Sequence, residues 1–130
     1  MGRFRKPLTC IHSLGVVHFV GDGAGMAIKG PQNKRGFLVD VGIRVTETFA
    51  CDSTAAKIRL GTASDADQYA ELVISDGTLK GDVFNTCDDR DAIKGPELPE
   101  EGQIEVTFVN SADSGVAAGA GEVYAIIDWY

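Results

Sequence analysis

The stretch "FLVDVGIRV", residues 37–45, decides the fold class. Its side chains alternate along the chain: Phe37, Val39, Val41, Ile43 and Val45 fall on one face, and Leu38, Asp40, Gly42 and Arg44 on the other. A period of two is the signature of a β-strand with one buried face. The same pattern returns in "QIEVTFV", where Ile104, Val106 and Phe108 alternate with polar residues. It returns again in "EVYAIIDWY", where Val123, Ala125, Ile127 and Trp129 share a face. Weaker strand signals lie at 14–20, 56–61 and 68–75, with a short one near 81–85. Between them stand the turn-forming runs "GDGAG", "KGPQNKRG", "SDGT", "KGPELPEEG" and "NSADSG". Only "SDADQYAEL" offers a helical alternative, with Ser64 and Asp67 as a capping box. Seven or eight short strands with no long helix predict a single all-β domain, an antiparallel sandwich or barrel.

Length and composition bound the rest. The 130 residues suffice for one domain with a core, and the apolar fraction of 44% is ordinary for a globular chain. No apolar run reaches the 18 residues that suggest a membrane span. Residues 1–10 lack the apolar core of a signal peptide, so a cytosolic origin is expected. The cysteines, Cys10, Cys51 and Cys87, are odd in number and widely spaced, which suits reduced thiols better than a zinc site. The net charge of −7 is unevenly spread. Residues 1–44 carry seven Lys/Arg against Asp22 and Asp40, while residues 45–130 carry five against seventeen Asp/Glu. An acidic body argues against general nucleic-acid binding.

Chemical motifs fail on inspection. "VVHFVGDGAGM" feeds β-branched residues into glycines, as a dinucleotide site does, but its third glycine position is Met26 and Gly30-Pro31 forbid the helix that must follow. There is no Gly-Lys-Ser/Thr and no G-x-S-x-G. His12 and His18 would share a face of a continuous strand, yet no ligand-spaced Cys or carboxylate accompanies them. "CDDRD", residues 87–91, lacks the order of a calcium loop and reads as a solvated acidic turn. No catalytic, cofactor or metal residues are therefore assigned, and the chain is not expected to be an enzyme.

The two ends carry the remaining signals. The face of the last strand opposite Trp129 holds Tyr124, Ile126 and Tyr130, three large side chains where polar ones are ordinary. Either the other sandwich layer or a loop covers them, or they form a subunit interface. At the other end, "MGRFRKPLTC" is basic and extended by Pro7, with Phe4 among its charges. Such a segment can order on a partner by strand addition or by charge. The expected organisation is an extended arm over residues 1–8 and a sandwich over 9–130.

The series "AIKGPQNKRGFLVDVGIRVTETF", "AKIRLGTASDADQYAEL" and "QIEVTFV…GAGEVYAIIDWY" resembles the decoration, or cement, proteins of tailed-bacteriophage capsids. The resemblance runs through Ile28–Pro31, Val39–Ile43, Gly61–Ala63 with Tyr69–Ala70, and Gly121–Trp129. It rests on strand and turn patterns and carries no catalytic signature. It implies a jelly-roll sandwich made in the bacterial host cytoplasm and placed on the capsid exterior of the virion. There a homotrimer would bind and stabilise the major capsid protein shell. Arg3, Phe4, Arg5 and Lys6 are then the candidate capsid-binding residues, and Tyr124, Ile126 and Tyr130 the candidate subunit interface. The competing expectation is a tail-associated receptor- or glycan-binding β-sandwich module.

Overall fold

The computed structural model describes residues 8–19, 23–50, 56–100, 103–109 and 119–130. They form nine strands: β1 Leu8–His18, β2 Gly23–Lys29, β3 Gly36–Glu47, β4 Ala56–Gly61, β5 Ala70–Ile74, β6 Val83–Asn85, β7 Glu97–Leu98, β8 Gln103–Val109 and β9 Ala120–Trp129. All pairings are antiparallel, and the strands make two sheets. Sheet A runs β1-β9-β3-β6 with β7 added to β3, and sheet B runs β2-β8-β4-β5. Setting β7 aside, first pairs with last (β1-β9), second with next to last (β2-β8), then β3 with β6 and β4 with β5. One long antiparallel ribbon, folded at its middle and rolled over, produces that nesting; it is the jelly-roll arrangement of a β-sandwich. Among the described residues no helix is long and apolar enough to cross a membrane.

The core lies between the sheets. On β8, Ile104, Val106 and Phe108 are buried; on β9, so are Val123, Ala125, Ile127 and Trp129, as the alternation predicts. An aromatic group closes each end of β9. Near Ala120, the Phe19 ring packs edge-on against Phe49 at 5.2 Å and Phe108 at 5.6 Å. At the far end, Trp129 fills the space over Gly30 and Gly36, where a Cβ would lie 2.5 and 2.7 Å from its ring. Its indole N–H donates to Nε2 of His12 on β1 at 3.1 Å.

Several expectations need correction. In residues 37–45 the inward set is Leu38, then Val41, Ile43 and Val45, whereas Phe37 and Val39 face outward. Leu38 pairs with Ile127 and Asp40 with Ile126, so Val39 is an extra residue on β3. This bulge shifts the alternation by one, as an inserted residue must. On β1 a second bulge lies between Ser13 and Val16, with Gly15 at φ +77°. It places His12 opposite Ala125 and His18 opposite Ala120, so the two histidines take opposite faces rather than one.

Boundaries also move. β1 starts at Leu8, in register with Trp129, so residue 8 belongs to the sheet and not to the arm. The run read as a glycine turn becomes β2 from Gly23 onward, and a strand, not a phosphate-binding helix, follows the glycines. "SDADQYAEL" forms no helix: Thr62 N–H donates to Asp65 O at 2.8 Å in a tight turn that leads into β5.

Two outcomes follow. Truncating Trp129 to Ala empties a fully enclosed site and is expected to cost about 3–5 kcal/mol, seen as a fall of many degrees in thermal unfolding. A shift of only a degree or two contradicts its sealing role. Burial holds the His12 pKa below 6.5. The unfolded chain then takes up a proton that the folded chain resists, so this stabilisation is complete above pH 6.5 and fades as pH falls below it. Melting curves from pH 7.5 to 5 are expected to fall less steeply for His12→Gln than for the parent. Parallel curves contradict the assignment.

Candidate binding surfaces

The outer faces of the two sheets differ in kind. On sheet B, Arg59 Nε lies 2.8 Å from Glu71 Oε2, and Lys57 Nζ lies 3.8 Å from Glu71 Oε1. This is a charged surface whose ion pairs are internal to the sheet, with the Thr107 hydroxyl beside Arg59 buried and without a partner among the described residues. Strand register builds the outer face of sheet A in rows, because residues directly opposite share a face. One row is Ile11–Ile126–Asp40, the next Ser13–Tyr124–Gly42–Asn85, and the next Val16–Glu122–Arg44–Val83. Ile11 is 70% exposed, and Val16, Phe37, Val39 and Val83 are each 42–51% exposed. Ile11, Val83, Tyr124 and Ile126, with Arg44 and Glu122, line a shallow depression of about 430 Å³.

Tyr124 is fixed in this face by its neighbours. Its ring lies over Gly42, where any Cβ would collide with the phenol. Its hydroxyl donates to Asp40 Oδ2 at 3.3 Å. Asp40 Oδ1 accepts from Thr86 N–H at 3.2 Å and Thr86 Oγ1 at 2.7 Å. Burial first, and then the Asp40 carboxylate, hold the phenol pKa up, so Tyr124 remains a donor. The result is a rigid, largely apolar surface with one buttressed aromatic.

The three residues expected to form a subunit interface do not stay together. Tyr124 and Ile126 lie side by side on the outer face. Tyr130 exchanges two backbone hydrogen bonds with Arg35, both 2.9 Å, and lines a separate depression of about 370 Å³ with Arg35, Gln68, Tyr69, Glu97 and Glu100. Lys94 braces that rim: its ammonium 2.7 Å from Asp67 holds the carboxyl down to about 2. Sequence reasoning missed Tyr69 as a groove residue. No sequence signal marks it, because the lining comes from segments that only the fold brings together. Arg3, Phe4, Arg5 and Lys6 lie outside the described residues.

Chemistry-bearing clusters are sparse. Among the described residues no group of His, Cys, Asp and Glu is arranged to hold a metal ion. Two of the "CDDRD" carboxylates bind backbone amides: Asp88 Oδ2 accepts from the nearby Asn85 N–H at 3.0 Å, and Asp89 Oδ2 from Val73 N–H on β5 at 3.1 Å. Cys10 is partly buried and Cys87 exposed, both as free thiols.

Replacing Gly42 with Ala is expected to displace the Tyr124 ring and break its bond to Asp40. The check is the Tyr124 titration followed by ultraviolet absorbance, whose midpoint should fall toward 10. An unchanged midpoint contradicts the buttress. In comparisons with known proteins, no family model matches the chain and no curated protein matches it.

Proposed function

We propose that this chain is a capsid decoration protein of a tailed bacteriophage, a structural component that needs no catalysis. In this reading it is made in the host cytoplasm and binds, as a trimer, to the outer surface of the assembled major capsid protein shell. The observation that carries the reading is the asymmetry of the sandwich. Sheet B carries partly buried ion pairs on its outer face, whereas sheet A exposes Ile11, Val16, Phe37 and Val83 around a buttressed Tyr124. Ile11, Val83, Tyr124 and Ile126 line one shallow depression there, and an exposed apolar patch rimmed by polar residues marks a contact face. The jelly-roll fold, used in viral capsid and lectin domains, is compatible with the role but does not select it.

The division of labour follows the chemistry. Tyr124 and Ile126 provide the contact between copies, and the arm with Arg3, Phe4, Arg5 and Lys6 reaches the shell. A single exposed ion pair is worth only about 0–1 kcal/mol, but three arms on one trimer raise the effective concentration of each. A ligand that binds only the assembled shell stabilises it by mass action.

A second reading is favoured by a different observation. The groove sets the exposed Tyr130 ring beside Arg35, Gln68 and Glu97, over the buried Tyr69, a lining suited to a receptor glycan. Tyr130→Ala separates the two: it abolishes binding of immobilised glycans under the second reading and leaves shell occupancy intact under the first.

Light scattering of the purified protein is expected to give three times the 13.8 kDa chain mass. Deleting residues 2–7 should leave the melting temperature within a few degrees and sharply lower occupancy on purified shells at about 0.15 M salt. Full occupancy by the truncated protein refutes the arm's role. Failure of the full-length protein to bind shells refutes the proposal.

A further inference from the structure

Among the described residues, β1 is the sheet edge left both long and undefended. A strand edge offers unpaired N–H and C=O groups to any other strand, and proteins protect such edges with charge, proline, shortness or cover. The free side of β5 is covered: Glu71 N–H donates to Ala92 O at 2.8 Å, Val73 N–H donates to Asp89 at 3.1 Å, and Ala70 bridges Ile93. The β6 edge is three residues long, and β2 carries Lys29. β1 spans eleven residues, "LTCIHSLGVVH", with no Lys, Arg, Asp, Glu or Pro. Among the described residues no strand pairs with its far side. Leu8, Ile11 and Val16 are more than half exposed along it.

We propose that this edge pairs with β1 of a second copy, antiparallel about a two-fold axis through Ile11, so that two sheets A become one continuous sheet. The occupant is a second copy because the edge matches itself in charge and in register. The chain carries a net charge of −7, yet β1 itself has no charged side chain to repel its mate. The regular part of β1 ends at the Ser13–Val16 bulge, which leaves Leu8–Ser13 for pairing. For both cores to stay on one side, outward residues must face outward residues. With Ile11 opposite Ile11, Thr9 faces Ser13 at each end, and Cys10 faces His12 on the inner side. The outer row then reads Ile126–Ile11–Ile11–Ile126 across the seam, continuous with the apolar face of each copy. A two-fold contact of this kind closes on itself and does not grow into fibres. It lies in the plane of the sheet, whereas the apolar face points along its normal, so it does not depend on the function proposed above and is compatible with it.

The test is the mass in solution from about 10 µM to about 1 mM protein, the range suited to a small interface. The expected result is a doubling of the basic unit: two chains from a monomer, or six from a trimer with the two-fold axes perpendicular to its three-fold axis. Because the seam is uncharged, added salt should not reverse it. Ile11→Lys should abolish the doubling with the melting temperature unchanged within about two degrees, since Ile11 is 70% exposed. An equimolar mixture of Ile11→Lys and Ile11→Glu chains should double again, because position 11 lies opposite Ile126 in its own sheet and the two new charges face each other across the seam. The proposal is overturned if the mass never doubles at about 1 mM. It is equally overturned if Ile11→Lys alone still doubles, if the mixture stays as dissociated as either variant, or if association is open-ended.

Discussion

Strand β9 is the member on which the rest of the sandwich depends. It is central in sheet A, hydrogen-bonded to β1 on one side and β3 on the other along nearly its whole length. Its inward residues bring the core to sheet B, and its last one, Trp129, closes the end of the barrel-like interior. That closure is a constraint on four segments at once. Gly30 and Gly36 must lack side chains to admit the indole, and His12 must stay neutral to accept its N–H. The first strand is thereby tied to the last by a side chain as well as by the ladder. A jelly roll brings its chain ends together through such contacts between first and last strands, which are the most distant in sequence and the slowest to find each other.

The same strand sets the surface. Because β9 alternates cleanly, everything not in the core is presented outward in one row: Glu122, Tyr124, Ile126, Asp128. The neighbouring strands align their own outward residues with it, and the bulges on β1 and β3 decide which those are. Without the extra Val39, residues 36 and 38 could not face inward beside Val41 and Ile43. Phe37 and Val39 are exposed because of that insertion. The bulge thus adds apolar area to a face that Ile11, Val83 and Tyr124 already make apolar. In sheet B, the ion pairs among Lys57, Arg59 and Glu71 give the opposite outcome from the same alternation.

Most of the fold was legible in the sequence because β-alternation is a direct imprint of burial. β8 and β9 were read residue by residue, and β4 to its ends. What was hidden has physical causes. A bulge is invisible to a period-two reading, so the faces of Phe37 and Val39 and of His18 were misassigned. β2 was masked by Gly23 and Gly25, residues that ordinarily weaken a strand; its pairing with β8 overrides that preference. β1 was read too short because its first half, "LTCIHS", alternates weakly and gains its strand character from pairing with β9. Of the candidate surface, Tyr124 and Ile126 were legible from the odd apolar face of the last strand. Their separation from Tyr130 was not, since it depends on how the chain end pairs with Arg35. The groove at Tyr69 was also beyond sequence reading, because residues as far apart as Arg35 and Tyr130 line it.

Native-state hydrogen exchange measures the central dependence most directly. If β9 anchors both its neighbours and the core, the amides of Val123, Ala125 and Ile127 exchange only when the whole domain opens. Their opening free energies then equal the global unfolding value and fall with denaturant at the full slope. The amides of the short β6 should exchange earlier, through local opening. If those of β9 exchange through small, denaturant-independent openings while sheet B remains protected, β9 is not the member that holds the sandwich together.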